Sequence, residues 1–148
     1  MGLFDKMFST QNQSETTLTP AEAFAAITLA AIASDGYLSD EEVEGFMSTL
    51  NRMQLFRSYP KDVMQRMIDR LFGILQRDGV ATLFHSAKSA LPYELQESAF
   101  AVATDLILSD GVVTDQEKQF LNDLYVSLEI PDELATKIVE VMMIKNRG

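Results

Sequence analysis

Cysteine is absent from this chain of 148 residues, and histidine occurs only once. The first absence excludes disulfide frameworks, thiolate zinc sites, redox pairs and cysteine nucleophiles, and it fits a reducing compartment, so a cytoplasmic location is expected. No apolar run is long enough to cross a bilayer, and the opening residues lack the basic region, long apolar stretch and small-residue cleavage site of a secretory signal. Positive charge is scarce: the chain has 12 Lys and Arg against 22 Asp and Glu, a net charge of -10. A basic surface is what neutralises phosphates, so a general nucleic-acid binder is not expected, and cationic partners are favoured. A Gly-rich phosphate loop, a nucleophile elbow and a recognisable dinucleotide or flavin motif are all missing. The lone His85 has no obvious partner in the sequence and reads as a solvated or hydrogen-bonded helix residue rather than a ligand or base. The chain therefore reads as a non-enzyme. Strands are missing too: no segment alternates with period two or is enriched in β-branched residues, and the expected fold class is all-α.

What is present is a set of helix starts and stops. With 47% apolar and 23% charged residues, the chain is long enough to bury one core without a disulfide or structural metal. Thr19-Pro20-Ala21-Glu22 combines an N-cap, a proline at the first helical position and a glutamate three residues after the cap, so a helix should run to about Ser34. Its sequence is alanine-rich and apolar nearly all round, which predicts a central helix closely approached by its neighbours. Gly36 stops it, and Ser39 with Glu42 starts a second helix that runs to about Met53. Pro60 opens a third to Gly79, followed by a shorter fourth from Val80 to about Ala90. Pro92 and Glu94 launch a fifth, ending at Asp110-Gly111. Thr114 and Glu117 cap the sixth, and Pro131 opens the last, which ends at the basic tail Lys145-Asn146-Arg147. The expectation is one compact domain of about seven helices over residues 19–148.

Residues 1–8 stand apart. If helical, they place Leu3, Phe4, Met7 and Phe8 on one apolar face, although so short a helix is unstable alone. Residues 9–18 are polar and aperiodic, the pattern of a flexible tether. Two readings of residues 1–8 stay open: an amphipathic element that docks on a membrane or partner, or a segment whose Phe4 and Phe8 pack onto the domain. The Met-Gly-Leu-Phe-Asp opening resembles, over a short span, that of phage-shock membrane-binding proteins.

The most informative feature is a repeat. A shift of 75 residues superposes Ser34-Asp35-Gly36-Tyr37-Leu38-Ser39-Asp40-Glu41-Glu42 on Ser109-Asp110-Gly111-Val112-Val113-Thr114-Asp115-Gln116-Glu117. Flanking positions agree as well: Ile32 with Ile107 and Phe46 with Leu121. Duplication of a helix, acidic turn, helix unit is the natural source, and residues 20–53 should superpose on 95–129. Folding alone explains most of the motif. Glycine supplies a C′ residue, Ser39 or Thr114 caps the next helix, Glu42 or Glu117 bonds back, and Asp40 and Asp115 face a helix dipole. A functional reading competes, because the motif also reproduces the second half of a calcium-binding EF-hand loop. The first-half ligand positions hold Ala31 and Ala33 in one copy and Leu106 and Leu108 in the other, so neither turn alone supplies the oxygens calcium requires. A shared site would need the two turns side by side, pooling Asp35, Asp40, Glu42, Asp110, Asp115 and Glu117 around calcium or magnesium. Asp105, in an apolar helix, is either paired with a base or a further carboxylate for such a cation.

The duplicated turns, the alanine-rich helix before the first and the helix layout resemble the TerB-like domain of tellurite-resistance proteins, which is related to a segment of certain membrane-bound DnaJ-type co-chaperones. The likeness covers about Leu18 to Ile144. It implies an all-α fold, an acidic cluster that is a candidate for divalent metal, and a part in bacterial envelope or chemical-stress responses. It supplies no reaction, since reducing an oxyanion takes thiols or a redox cofactor. Three functions follow in order: a metal-responsive adaptor with a protein partner; a purely structural interaction domain docking through its Arg-rich third helix; and a hydrolase using carboxylates and a metal. For the second, Arg52, Arg57, Lys61, Arg66, Arg70 and Arg77 face only Asp62 and Asp69 in their stretch, giving the molecule a basic side. The eight methionines read chiefly as adaptable core filler, with some free to line a partner groove.

Overall fold

The computed structural model describes residues 17–109 and 111–147. Among them every regular element is helical: α1 (Pro20–Ile32), α2 (Asp40–Arg52), α3 (Lys61–Ala90), α4 (Gln96–Leu108), α5 (Asp115–Ser127) and α6 (Asp132–Arg147), with single 3-10 turns at Gln54–Phe56 and Tyr93–Leu95. The expectation for residues 1–8 and most of the tether lies outside the described residues.

α1 forms where its cap dictates. Thr19 Oγ1 accepts from the Glu22 N–H at 3.2 Å, and Glu22 Oε1 accepts from the Thr19 N–H at 2.9 Å, so two otherwise unpaired helix-end donors are satisfied. Eleven of its thirteen residues are buried. So small and apolar a helix lets neighbours come close on every side, and α1 packs against both α3 and α4. α4 is the second central helix, covered on its far side by α6. The hairpins then lock crosswise: α2, which follows α1, also touches α4, while α5, which follows α4, also touches α1. Buried Thr28 and Thr104 sit in the two central helices with their hydroxyls satisfied locally. Thr28 donates to the Ala25 carbonyl at 2.9 Å and Thr104 to the Phe100 carbonyl at 2.8 Å, so neither costs an unpaired polar group in the core.

Six helices rather than seven are found among the described residues, and the difference lies in α3. The expected third and fourth helices join into one 30-residue element without an intervening loop. The break between them is confined to Gly79, at φ 87° and ψ 170°. That region of backbone space is open to glycine alone, and the helix resumes at the next residue. α4 also begins later than expected, at Gln96, because the 3-10 turn Tyr93–Leu95 intervenes after Pro92.

The end of α5 has no glycine. Glu129 takes the left-handed conformation at φ 58°. Its N–H donates to the Val126 carbonyl at 3.1 Å, and the Ile130 N–H donates to the Tyr125 carbonyl at 3.0 Å. This is the Schellman pairing, with Ile130 buried behind it as the apolar anchor.

Candidate functional site

The two acidic turns are alike in their local bonding. In the first, Ser34 Oγ donates to the Ala31 carbonyl at 2.7 Å, the Gly36 N–H donates to the Ala33 carbonyl at 3.0 Å, and Gly36 has φ +83°. In the second, Ser109 Oγ donates to the Leu106 carbonyl at 2.8 Å, the Gly111 N–H to the Leu108 carbonyl at 3.2 Å, and Gly111 has φ +79°. Capping boxes follow in both. Glu42 Oε1 accepts from the Ser39 N–H at 3.0 Å and Glu117 Oε1 from the Thr114 N–H at 2.9 Å, while the Ser39 and Thr114 hydroxyls each accept from the glutamate N–H at 3.1 Å.

These bonds decide what each candidate metal ligand is doing. Glu42 and Glu117 are turned back onto their own helix starts, and Glu117 is only 2% exposed. Asp35 Oδ1 accepts from the Tyr37 N–H at 3.0 Å, closing the turn. Asp40 and Asp115 are exposed at the first positions of α2 and α5, where the helix dipole favours a negative charge. Asp110 lies outside the described residues. Among the described residues, no three His, Asp or Glu side chains come together as a group able to hold a metal ion. A cation in this region would have to draw on carboxylate oxygens beyond those already engaged in capping.

Two other open questions receive definite answers. Asp105 is paired with a base: its Oδ1 accepts from Lys145 Nζ at 3.1 Å and from Asn146 Nδ2 at 2.8 Å, which ties α4 to the end of α6. The arginines of α3 are largely matched with neighbours. Arg66 meets Asp62 at 3.6 Å, Arg77 meets Asp78 at 3.2 Å, and Arg70 bonds Glu22 at 2.6 Å as well as the Thr17 carbonyl at 2.9 Å. The basic side is thus partly neutralised by the acids beside it.

The residues that sequence reasoning missed form an apolar groove. It lies between the half of α3 beyond Gly79 and α5, with a volume of about 510 Å³, and is lined by Val80, Ala81, Phe84, His85, Phe120, Asp123, Val126 and Ser127. Phe84 and Phe120 meet edge-on with ring centroids 5.7 Å apart. His85 is exposed at the lip with its ring against Phe84, and Val126 is 59% exposed. The one sequence signal for the groove was Val126, which follows the buried stripe of α5 on the wrong face for the core. A smaller hollow of about 290 Å³ between α5 and α6 is lined in part by Phe100, Leu121, Tyr125 and Val139. There the Asp132 carboxylate, by its charge first, then burial and a hydrogen bond, raises the Tyr125 hydroxyl above its usual pKa.

No described helix is long and apolar enough to cross a membrane. Compared with known proteins, the chain matches no family model, no curated protein and no solved structure.

Proposed function

We propose that this chain is a non-catalytic interaction module, resembling TerB-like domains of bacterial stress-response proteins, which takes the apolar face of a partner protein's helix into the groove between α3 and α5. The observation that carries this reading is the groove itself: about 510 Å³, walled by Phe84, Phe120 and Val126, with polar groups only at its lip. Pockets of this size, mostly apolar with a few polar groups to set orientation, are where binding surfaces form, and helix-in-groove recognition needs only apolar side chains at helical spacing. On this reading the two Asp-Gly turns are caps that fix the hairpins, which we take to be copies of one ancestral unit.

A second reading, a divalent cation at the turns, is favoured by one observation: Asp40 and Asp115 occupy matching exposed positions at the starts of α2 and α5. Calcium or magnesium would suit an all-oxygen donor set. One experiment separates the two. A ligand that binds only the native state raises its stability, so thermal unfolding is followed while calcium and then magnesium are added. The groove reading expects no shift in Tm. A rise that Asp40→Asn with Asp115→Asn abolishes would replace it with the metal-responsive adaptor.

A further inference from the structure

We infer that residues 1–8 of this chain are themselves an occupant of the groove between α3 and α5, so that the module covers its own binding surface until a partner helix displaces them. This rests on the groove being the binding surface. Taken as a helix, the segment puts Leu3, Phe4, Met7 and Phe8 on one face, flanked by Asp5 and Lys6 on opposite edges. That is the complement of a groove with aromatic walls and Asp123 at its rim.

The point where the chain enters the fold makes docking possible. Leu18 is buried, and the Thr17 carbonyl accepts from Arg70 Nη2 at 2.9 Å, so the chain is pinned beside α3. From Arg70 to Phe84 along the same helix is fourteen residues, about 21 Å at 1.5 Å per residue, and less once the break at Gly79 bends the path. From Thr17 back to Phe8 the chain spans up to about 30 Å when extended. The segment therefore reaches the groove with slack. A tether of this length holds its end at an effective concentration on the order of millimolar, so a weak apolar contact suffices to fill the groove, and an external helix must outcompete it.

The absence of cysteine allows a clean test. Ser9→Cys in the full chain carries a nitroxide, and the amide signals of Val80–His85 and Phe120–Ser127 are followed by NMR. The expected result is selective broadening of these signals, relieved by Phe4→Ser with Phe8→Ser. Broadening that is absent, or that persists in the double variant, overturns the inference. So does broadening seen only when labelled chain is mixed with separate isotope-enriched chain, which would make the occupant a second copy. Vesicles of anionic phospholipid supply the remaining alternative: binding that depends on Phe4 and Phe8, without broadening at the groove in their absence, assigns the segment to a membrane and overturns the inference. Anilinonaphthalene sulfonate added to the Phe4→Ser, Phe8→Ser chain reports on the groove by itself. If it binds and Val126→Asp abolishes binding, a failed nitroxide test removes only the occupant; if it does not bind, the groove reading falls with it.

Discussion

Gly79 is where a single added methyl group should do the most damage for the least change in contacts. At φ 87° and ψ 170° it occupies backbone space that a side chain makes strained, yet a Cβ built there would meet nothing within 4 Å. The cost of Gly79→Ala is therefore purely conformational, about 1–3 kcal/mol. Reduced freedom of the unfolded chain returns about 0.4–1 kcal/mol, which leaves a net loss of about 1–2 kcal/mol. For a domain of this size that corresponds to a fall in Tm of roughly 2–8 °C. Gly73 provides the internal control, since it is exposed, lies in the same helix with helical backbone, and a Cβ there also meets nothing within 4 Å. Gly73→Ala should gain about 0.5–1 kcal/mol, because glycine is a poor helix former. Urea unfolding with circular dichroism measures both variants against the parent. If Gly79→Ala proves as stabilising as Gly73→Ala, α3 runs through Gly79 as ordinary helix, and the placement of its second half against α5 is wrong.

Three further outcomes are expected. Glu117→Ala should cost about 1–2 kcal/mol in chemical unfolding, since it strips the capping box from α5 at a buried side chain, whereas Asp115→Ala, one exposed charge at the same helix end, should stay within about 0.5–1 kcal/mol; equal losses would refute the capping assignment. Glu129→Gly should stabilise by about 0.5–1 kcal/mol by relieving a left-handed residue at the end of α5, and a loss of stability on thermal unfolding would count against the Schellman geometry. The raised Tyr125 pKa means that the fold favours the protonated phenol, so its contribution is fully present below the unfolded value near pH 10 and is lost as the pH rises through the higher folded value. Tyr125→Phe should accordingly flatten the alkaline limb of the stability profile and leave its slope near neutral pH unchanged; an unaltered alkaline limb would separate Tyr125 from Asp132.

Much of the helical layout was legible because the signals that set it are local. Thr19 with Glu22, Ser39 with Glu42 and Thr114 with Glu117 each interact across three residues, and all three capping boxes form. The alanine-rich run of α1 likewise announced a helix with no solvent face. Glu129 was not legible, for the complementary reason: without glycine, the left-handed turn is held by Ile130 anchoring in the core, a tertiary contact that no short pattern carries. The partner of Asp105 lies forty residues away at Lys145, and only the fold brings the two together.

The candidate sites divide along the same line. The acidic turns drew notice because their motif is dense in carboxylates, but dense local motifs are also what helix ends require, and Glu42 and Glu117 are bonded as helix ends require. The groove left almost no trace in the sequence, since its walls come from segments some forty residues apart and each wall alone reads as an ordinary amphipathic helix. Gly79 joins the two levels. It was readable as a boundary, but whether it ended a helix or redirected one depends on where Val80 and Phe84 find apolar cover. They find part of that cover against Phe120, and the cover is incomplete. The half-open aromatic pair that results is the feature that a tethered or external apolar helix would complete.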